Sequence, residues 1–145
     1  MIPVHFPQHN FKIEPQGGRE MIFDAFRKQW VVLTPEEWVR QNFLQWLVEV
    51  MQYPSSLISV EREILLVDLR KRFDIAVYSR TGKPWMLIEC KAMDVPLSDD
   101  VFQQILRYNQ TLEVRYLVIT NGSFTKGFEL YPEIKEVAQL PPFEN

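Results

Sequence analysis

The run Arg115-Tyr-Leu-Val-Ile-Thr120 is a short strand candidate with almost no polar side, and it constrains the fold more than any other stretch of the chain. Successive side chains of a strand point to opposite faces of its sheet, so a uniformly apolar run needs cover above and below. Asn121-Gly122 stops it. Upstream, Ser98 caps a helix whose first turn holds Asp99 and Asp100, where carboxylates suit the positive end of the helix dipole. Leu97 and Phe102 can staple the entry of that helix, and Val101, Ile105 and Leu112 form its apolar face.

Another helix opens at Thr34-Pro35-Glu36-Glu37, where a Thr N-cap, Pro at N1 and Glu at N3 make a capping box and Leu33 can staple to Trp38. Val39, Phe43, Leu47 and Val50 follow at spacings of three and four, which predicts one buried stripe on a helix reaching about residue 52. Three strand candidates lie between the helices: Ile58 to Val67, Phe73 to Ser79 and Trp85 to Ala92. The last two are joined by a hairpin turn at Arg80-Thr81-Gly82-Lys83, so the group reads as an antiparallel meander. Helix, three strands, helix, strand is the order of an α/β domain with a central mixed sheet flanked by helices.

A chain of 145 residues, 46% hydrophobic and 24% charged, fits one soluble globular domain. Within it, residues 1–18 read as an irregular arm, 19–33 as short strand-like pieces, 34–122 as the core and 123–145 as a C-terminal extension. One cysteine cannot form an internal disulfide, and no apolar stretch approaches the roughly 20 residues of a membrane span. Residues 1–10 lack the basic segment and apolar core of a signal peptide. A cytoplasmic protein is expected. The net charge of -3 ordinarily counts against a nucleic-acid partner. Locally the balance reverses: residues 70–83 hold Arg70, Lys71, Arg72, Arg80 and Lys83 against Asp74 alone.

Two strands carry charge where a sheet should be apolar. In Trp85-Met-Leu-Ile-Glu-Cys-Lys-Ala92, Glu89 and Lys91 share one face while Met86, Ile88, Cys90 and Ala92 take the other. Phe73-Asp74-Ile75-Ala76-Val77 places one more carboxylate in the neighbouring strand, so Asp74 and Glu89 can face each other across the pair. Close carboxylates repel unless a cation compensates. Lys91 alone gives a structural ion pair; a divalent metal gives chemistry. Oxygen ligands without His or Cys select Mg2+ or Mn2+ over zinc, and such ions bind phosphate oxygens directly. A neighbouring lysine can orient water or steady developing phosphate charge.

Asp74 followed by Glu89-Cys90-Lys91, after a helix bearing Glu and before one with Gln104 and Tyr108, resembles the PD-(D/E)XK nuclease superfamily. From Thr34 to Gly122 the chain resembles stand-alone relatives of the N-terminal nuclease domain of type I restriction endonuclease motor subunits. The resembling pieces are Thr34–Arg40, Arg72–Ile75, Ile88–Ala92, Gln104–Asn109 and Thr120–Gly122. The resemblance implies a restriction-endonuclease-like fold and a Mg2+-dependent deoxyribonuclease. By its pattern Asp74, Glu89 and the carbonyl of Cys90 hold the metal and Lys91 positions water. Gln104 and Tyr108, one helical turn apart, touch DNA or brace the site. Phe73 stands where the superfamily's name has proline.

Glu37 has two readings, a metal-site glutamate or the capping residue, with Glu36 as the substitute. Arg70, Lys71, Arg72 and Arg107 are candidate phosphate contacts. DNA is the expected partner, with a second copy of the chain or a separate subunit joining it by analogy. No translocase segment accompanies the nuclease pieces, so ATP-driven restriction is not expected of this chain. The rival expectation is a non-catalytic nucleic-acid-binding or assembly module on the same fold. Cys90 alternates toward the core rather than the site, and His5 and His9 read as surface residues between prolines.

Overall fold

The computed structural model describes residues 1–61, 63–66, 69–109 and 113–143, of which 63–66 and 69–71 are described by backbone alone. Its chain begins with β1 (Ile13–Gln16), β2 (Arg19–Asp24) and β3 (Gln29–Val32), an antiparallel three-stranded sheet of order β1-β2-β3. The arm read over residues 1–18 is therefore shorter than expected. Gly17 and Gly18, with φ of 60° and 81°, supply the left-handed turn that a tight hairpin between β1 and β2 requires.

Helix α1 (Pro35–Glu49) starts as its signals predict, with Thr34 Oγ1 accepting from Glu37 N at 3.0 Å. Val39, Phe43, Leu44 and Leu47 are fully buried, each contributing about 1.5–3 kcal/mol of apolar burial. The helix ends at Glu49 rather than near 52, and Val50 is half exposed instead of extending the stripe. The capping box is half formed, because the Glu37 carboxylate turns away toward two arginines.

The central sheet has order β11-β10-β9-β8-β7-β4, from β4 (Ile58–Val60), β7 (Ile75–Tyr78), β8 (Pro84–Cys90), β9 (Tyr116–Thr120), β10 (Thr125–Glu129) and β11 (Lys135–Val137). Strands β4, β7 and β8 make the expected meander. Helix α2 (Asp99–Asn109) then crosses over so that β9 lies parallel to β8, which makes the sheet mixed. Every residue of β9 is buried, as its composition requires. The 123–145 extension supplies β10 and β11, antiparallel to the rest of that edge.

The strand expected over 58–67 is broken. Glu61 takes φ of 52°, a left-handed conformation uncommon for a residue with a Cβ, and the chain leaves the sheet. Its continuation, β5 (Glu63–Leu66), pairs among the described residues with β6 (Leu69–Arg72). Val67 and Leu112, both counted in the expected elements, lie outside the described residues.

Each face of the sheet has its own core. Ile75, Val77, Met86, Ile88, Cys90 and Val118 pack with the α1 stripe, while Ala76, Leu87, Leu117 and Ile119 pack with Phe102 and Leu106 of α2. Lys126 ties α2 to β10 by an ion pair with Asp99 at 3.1 Å and a position 4.7 Å from the centre of the Phe102 ring. This is the α/β architecture expected, a mixed sheet with a helix on each side.

Candidate functional site

Asp74 sits one residue before β7, not within it. The β7–β8 ladder ends with Ile75 paired to Ile88, which leaves Asp74 and Glu89 at the positions just beyond it. At this rim Asp74 Oδ2 accepts from the backbone N of Cys90 at 2.8 Å, which fixes the carboxylate against the exit of β8. Glu89 is half-buried at that exit. Lys91 follows the last residue of β8 and is held by its backbone N donating to Thr120 O at 2.8 Å, so the parallel partner strand anchors it.

The other oxygen of Asp74 meets a residue that sequence reasoning missed. Arg40, on α1 and only 4% exposed, donates from Nη2 to Asp74 Oδ1 at 2.7 Å, Glu61 Oε1 at 2.9 Å and Glu36 Oε1 at 3.1 Å. Its Nη1 donates to Glu37 Oε1. One terminal guanidinium nitrogen carries two hydrogens and here faces three carboxylates from three separate parts of the chain. Burial by itself works against the charge on Arg40, but the bond to Asp74 and the charges of Glu37, Asp74 and Glu61 outweigh it and hold the pKa above the ordinary arginine value. Among the described residues Arg40 Nε has no hydrogen-bond partner.

Arg27, in the turn between β2 and β3, makes the second cation of the cluster. It donates through Nε to the fully buried Asp24 and through Nη2 to both oxygens of Glu37 at 2.8 Å. Gln41 Nε2 adds a bond to Glu37 Oε2 at 2.9 Å. Glu37 is thus a buried bridge between two guanidiniums, and its backbone is also the recipient of the Thr34 cap. Glu36 is the more open of the pair, with its side chain 45% exposed. Its pKa is raised by partial burial and by the charge of Asp74, against the lowering influence of Arg40 and Lys91. Glu36 therefore feels the charges of Asp74 and Lys91 directly.

The remaining expected residues separate. Arg72 reaches the cluster, donating from Nε to Glu61 O at 2.9 Å while its side chain stays 70% exposed. The side chains of Arg70 and Lys71 lie outside the described residues. Gln104 and Tyr108 occupy the exposed side of α2, with Tyr108 71% exposed. Arg107 is directed elsewhere: with Gln103 and Lys135 it lines a cavity of about 460 Å3 beside β10 and β11. The Cys90 thiol is buried in the α1-side core, and burial, then the charge of Asp74, pushes its pKa well up, which leaves it inert. His9 pairs with Glu49 at 3.0 Å at the far end of α1.

Around Asp74 and Glu89 the donors are carboxylate and backbone oxygens, a hard set that suits Mg2+ or Mn2+. Among the described residues no three His, Cys, Asp or Glu side chains are gathered into a metal cage. Of the cluster, Asp24, Arg27, Arg40 and Glu61 left only a weak trace in the sequence. Asp24 shares the buried face of β2 with Ile22, a carboxylate where an apolar side chain is expected, as at Asp74.

No curated protein matches the chain. Among solved structures, a protein of DUF820 from Anabaena variabilis, described as a candidate nuclease, is similar at 10% identity and a TM-score of 0.47, over 85% of this chain and 79% of that one. The family model for the N terminus of the type I restriction enzyme R protein matches residues 35–142, from the start of α1 to beyond β11. The chain belongs to the family of type I restriction enzyme R protein N termini.

Proposed function

We propose that the protein is a Mg2+- or Mn2+-dependent deoxyribonuclease with a restriction-endonuclease-like fold, cutting DNA at the rim where β7 begins and β8 ends. The observation that carries this reading is Asp74 held by the backbone N of Cys90 at 2.8 Å, Cys90 being the residue between Glu89 and Lys91. Asp74, Glu89 and the carbonyl of Cys90 are the residues that would hold the metal. When bound, the ion supplies Lewis-acid activation of water and charge neutralisation on the scissile phosphate. Lys91 would orient the water and offset phosphate charge, while Arg72, exposed beside Glu61, contacts a neighbouring phosphate. With a net charge of -3 the chain should bind DNA weakly and with strong salt dependence, unless a second copy or a separate subunit adds basic surface.

A specific feature favours the rival, a module that binds or assembles without cutting: Arg40 already pairs with Asp74 at 2.7 Å, as in a purely structural ion network. The two readings part in one assay. Lys91→Ala should lower Mg2+-dependent cleavage of plasmid DNA by at least about a hundredfold, with an unchanged circular dichroism spectrum. Cleavage retained by the variant, or absent from wild type with both Mg2+ and Mn2+, would favour the binder.

A further inference from the structure

We infer that Arg40 is the resident counter-cation of the site and sets its metal affinity by competing with the ion for Asp74, an inference that rests on the metal-dependent reading above. Carboxylate oxygens of Asp74, Glu61 and Glu36 converge on one nitrogen, Arg40 Nη2, at 2.7, 2.9 and 3.1 Å. These residues come from the loop before β7, the left-handed residue after β4 and the first turn of α1, so the chain brings three distant carboxylates to a single point. Three acceptors exceed the two hydrogens of that nitrogen, and their mutual repulsion is relieved only in part by one delocalised charge. A metal ion held by Asp74 would therefore draw on an oxygen that Arg40 already occupies.

Arg40 cannot leave readily. Its side chain is 4% exposed and its Nη1 is held by Glu37, which Arg27 holds in turn. The guanidinium can instead shift within the cluster, because Glu37 and Glu36 remain as partners once Asp74 is surrendered. Arg40 Nε, buried and without a partner among the described residues, has no bond to break in such a shift. Arg40 is accordingly a positioning residue. Without metal it keeps the carboxylates from repelling the rim open, and with metal it subtracts from the affinity that Asp74 would otherwise provide.

The test is Mn2+ binding to the full chain by isothermal titration calorimetry, for wild type, Arg40→Met, Arg40→Lys and Asp74→Asn. Arg40→Met should bind about tenfold more tightly than wild type, since a full charge within contact distance of the ligand is removed. Arg40→Lys, which restores the charge, should return toward the wild-type value, and Asp74→Asn should bind least. If Arg40→Met does not fold, wild type still decides the matter. The Arg40 Nε–H resonance in a nitrogen-15 correlation spectrum should move with added Mg2+ along the same saturation curve as calorimetry. Wild-type binding with an Arg40→Met affinity equal or weaker, or an Arg40 signal unmoved at saturation, overturns the inference and leaves the nuclease reading standing. Absence of metal binding in wild type overturns both.

Discussion

Two ion clusters flank the central sheet with opposite stoichiometry. At Glu129, on β10, a single carboxylate accepts from Arg115 Nε and Tyr116 OH, each at 3.1 Å, and lies 3.4 Å from Lys135 Nζ. There the Arg115 bond, helped by Tyr116 and Lys135 and opposed by burial, lowers the carboxyl pKa. Around Arg40 the ratio is inverted: Glu36, Glu37, Glu61 and Asp74 surround one guanidinium, with Arg27 sharing Glu37 and Arg72 near Glu61, and Glu36 is pushed up instead. A saturated carboxylate is a finished structural contact. A cation ringed by several carboxylates is a different kind of contact, and it is the second arrangement that adjoins Cys90, between Glu89 and Lys91.

The sharpest way to break the contrast is to remove the bridging anion. Glu37→Gln would leave Arg27 and Arg40 facing a neutral amide in a buried setting, and urea unfolding should show a loss of about 3 kcal/mol. A loss below about 1 kcal/mol would mean that Asp24, Glu61 and Asp74 hold both arginines unaided, and that Glu37 is surplus to the charge balance. Next comes the cation itself. At a hundredfold excess over its Kd, Mn2+ should stabilise wild type by about 2.7 kcal/mol in thermal unfolding and leave Asp74→Asn unmoved. Equal shifts in both proteins would place the binding elsewhere.

The smallest effect belongs to the saturated side. A carboxyl whose pKa is depressed on folding adds stability above its ordinary value of 4.5 and loses it as pH falls through the depressed value. Wild type should therefore exceed Glu129→Gln in stability at neutral pH, with the gap closing as pH drops below that range. Glu36 has the reverse sign: a raised pKa favours the fold at low pH, and that contribution declines as pH climbs through it. A gap at Glu129 that persists undiminished in acid would contradict its assignment as the titrating contact.

Local rules carried the sequence a long way. The caps of α1 and α2, the β7–β8 hairpin and the doubly covered β9 all follow from patterns confined to a few residues. What escaped depends on docking. Arg40 lies three residues after Glu37 and four after Glu36, a spacing that on an isolated helix means an ordinary surface pair, so nothing announced its burial. Arg27 and Asp24 join the site only because the β1–β3 sheet settles against α1, a choice no local pattern encodes. The break at Glu61 is silent for another reason. Residues 58–61 alternate as a strand should, and a left-handed glutamate bears no glycine to mark it.

The position of Arg27 has a consequence for where this protein can be trimmed. The family match opens at Pro35, and Asp74, Glu89 and Lys91 all fall inside it. A fragment cut at that border would keep each of those residues and still lose the Asp24–Arg27 pair that neutralises the inner edge of Glu37. The boundary drawn by ancestry and the boundary drawn by charge balance do not coincide, and the β1–β3 sheet behaves as an electrostatic stopper that the shorter piece would lack.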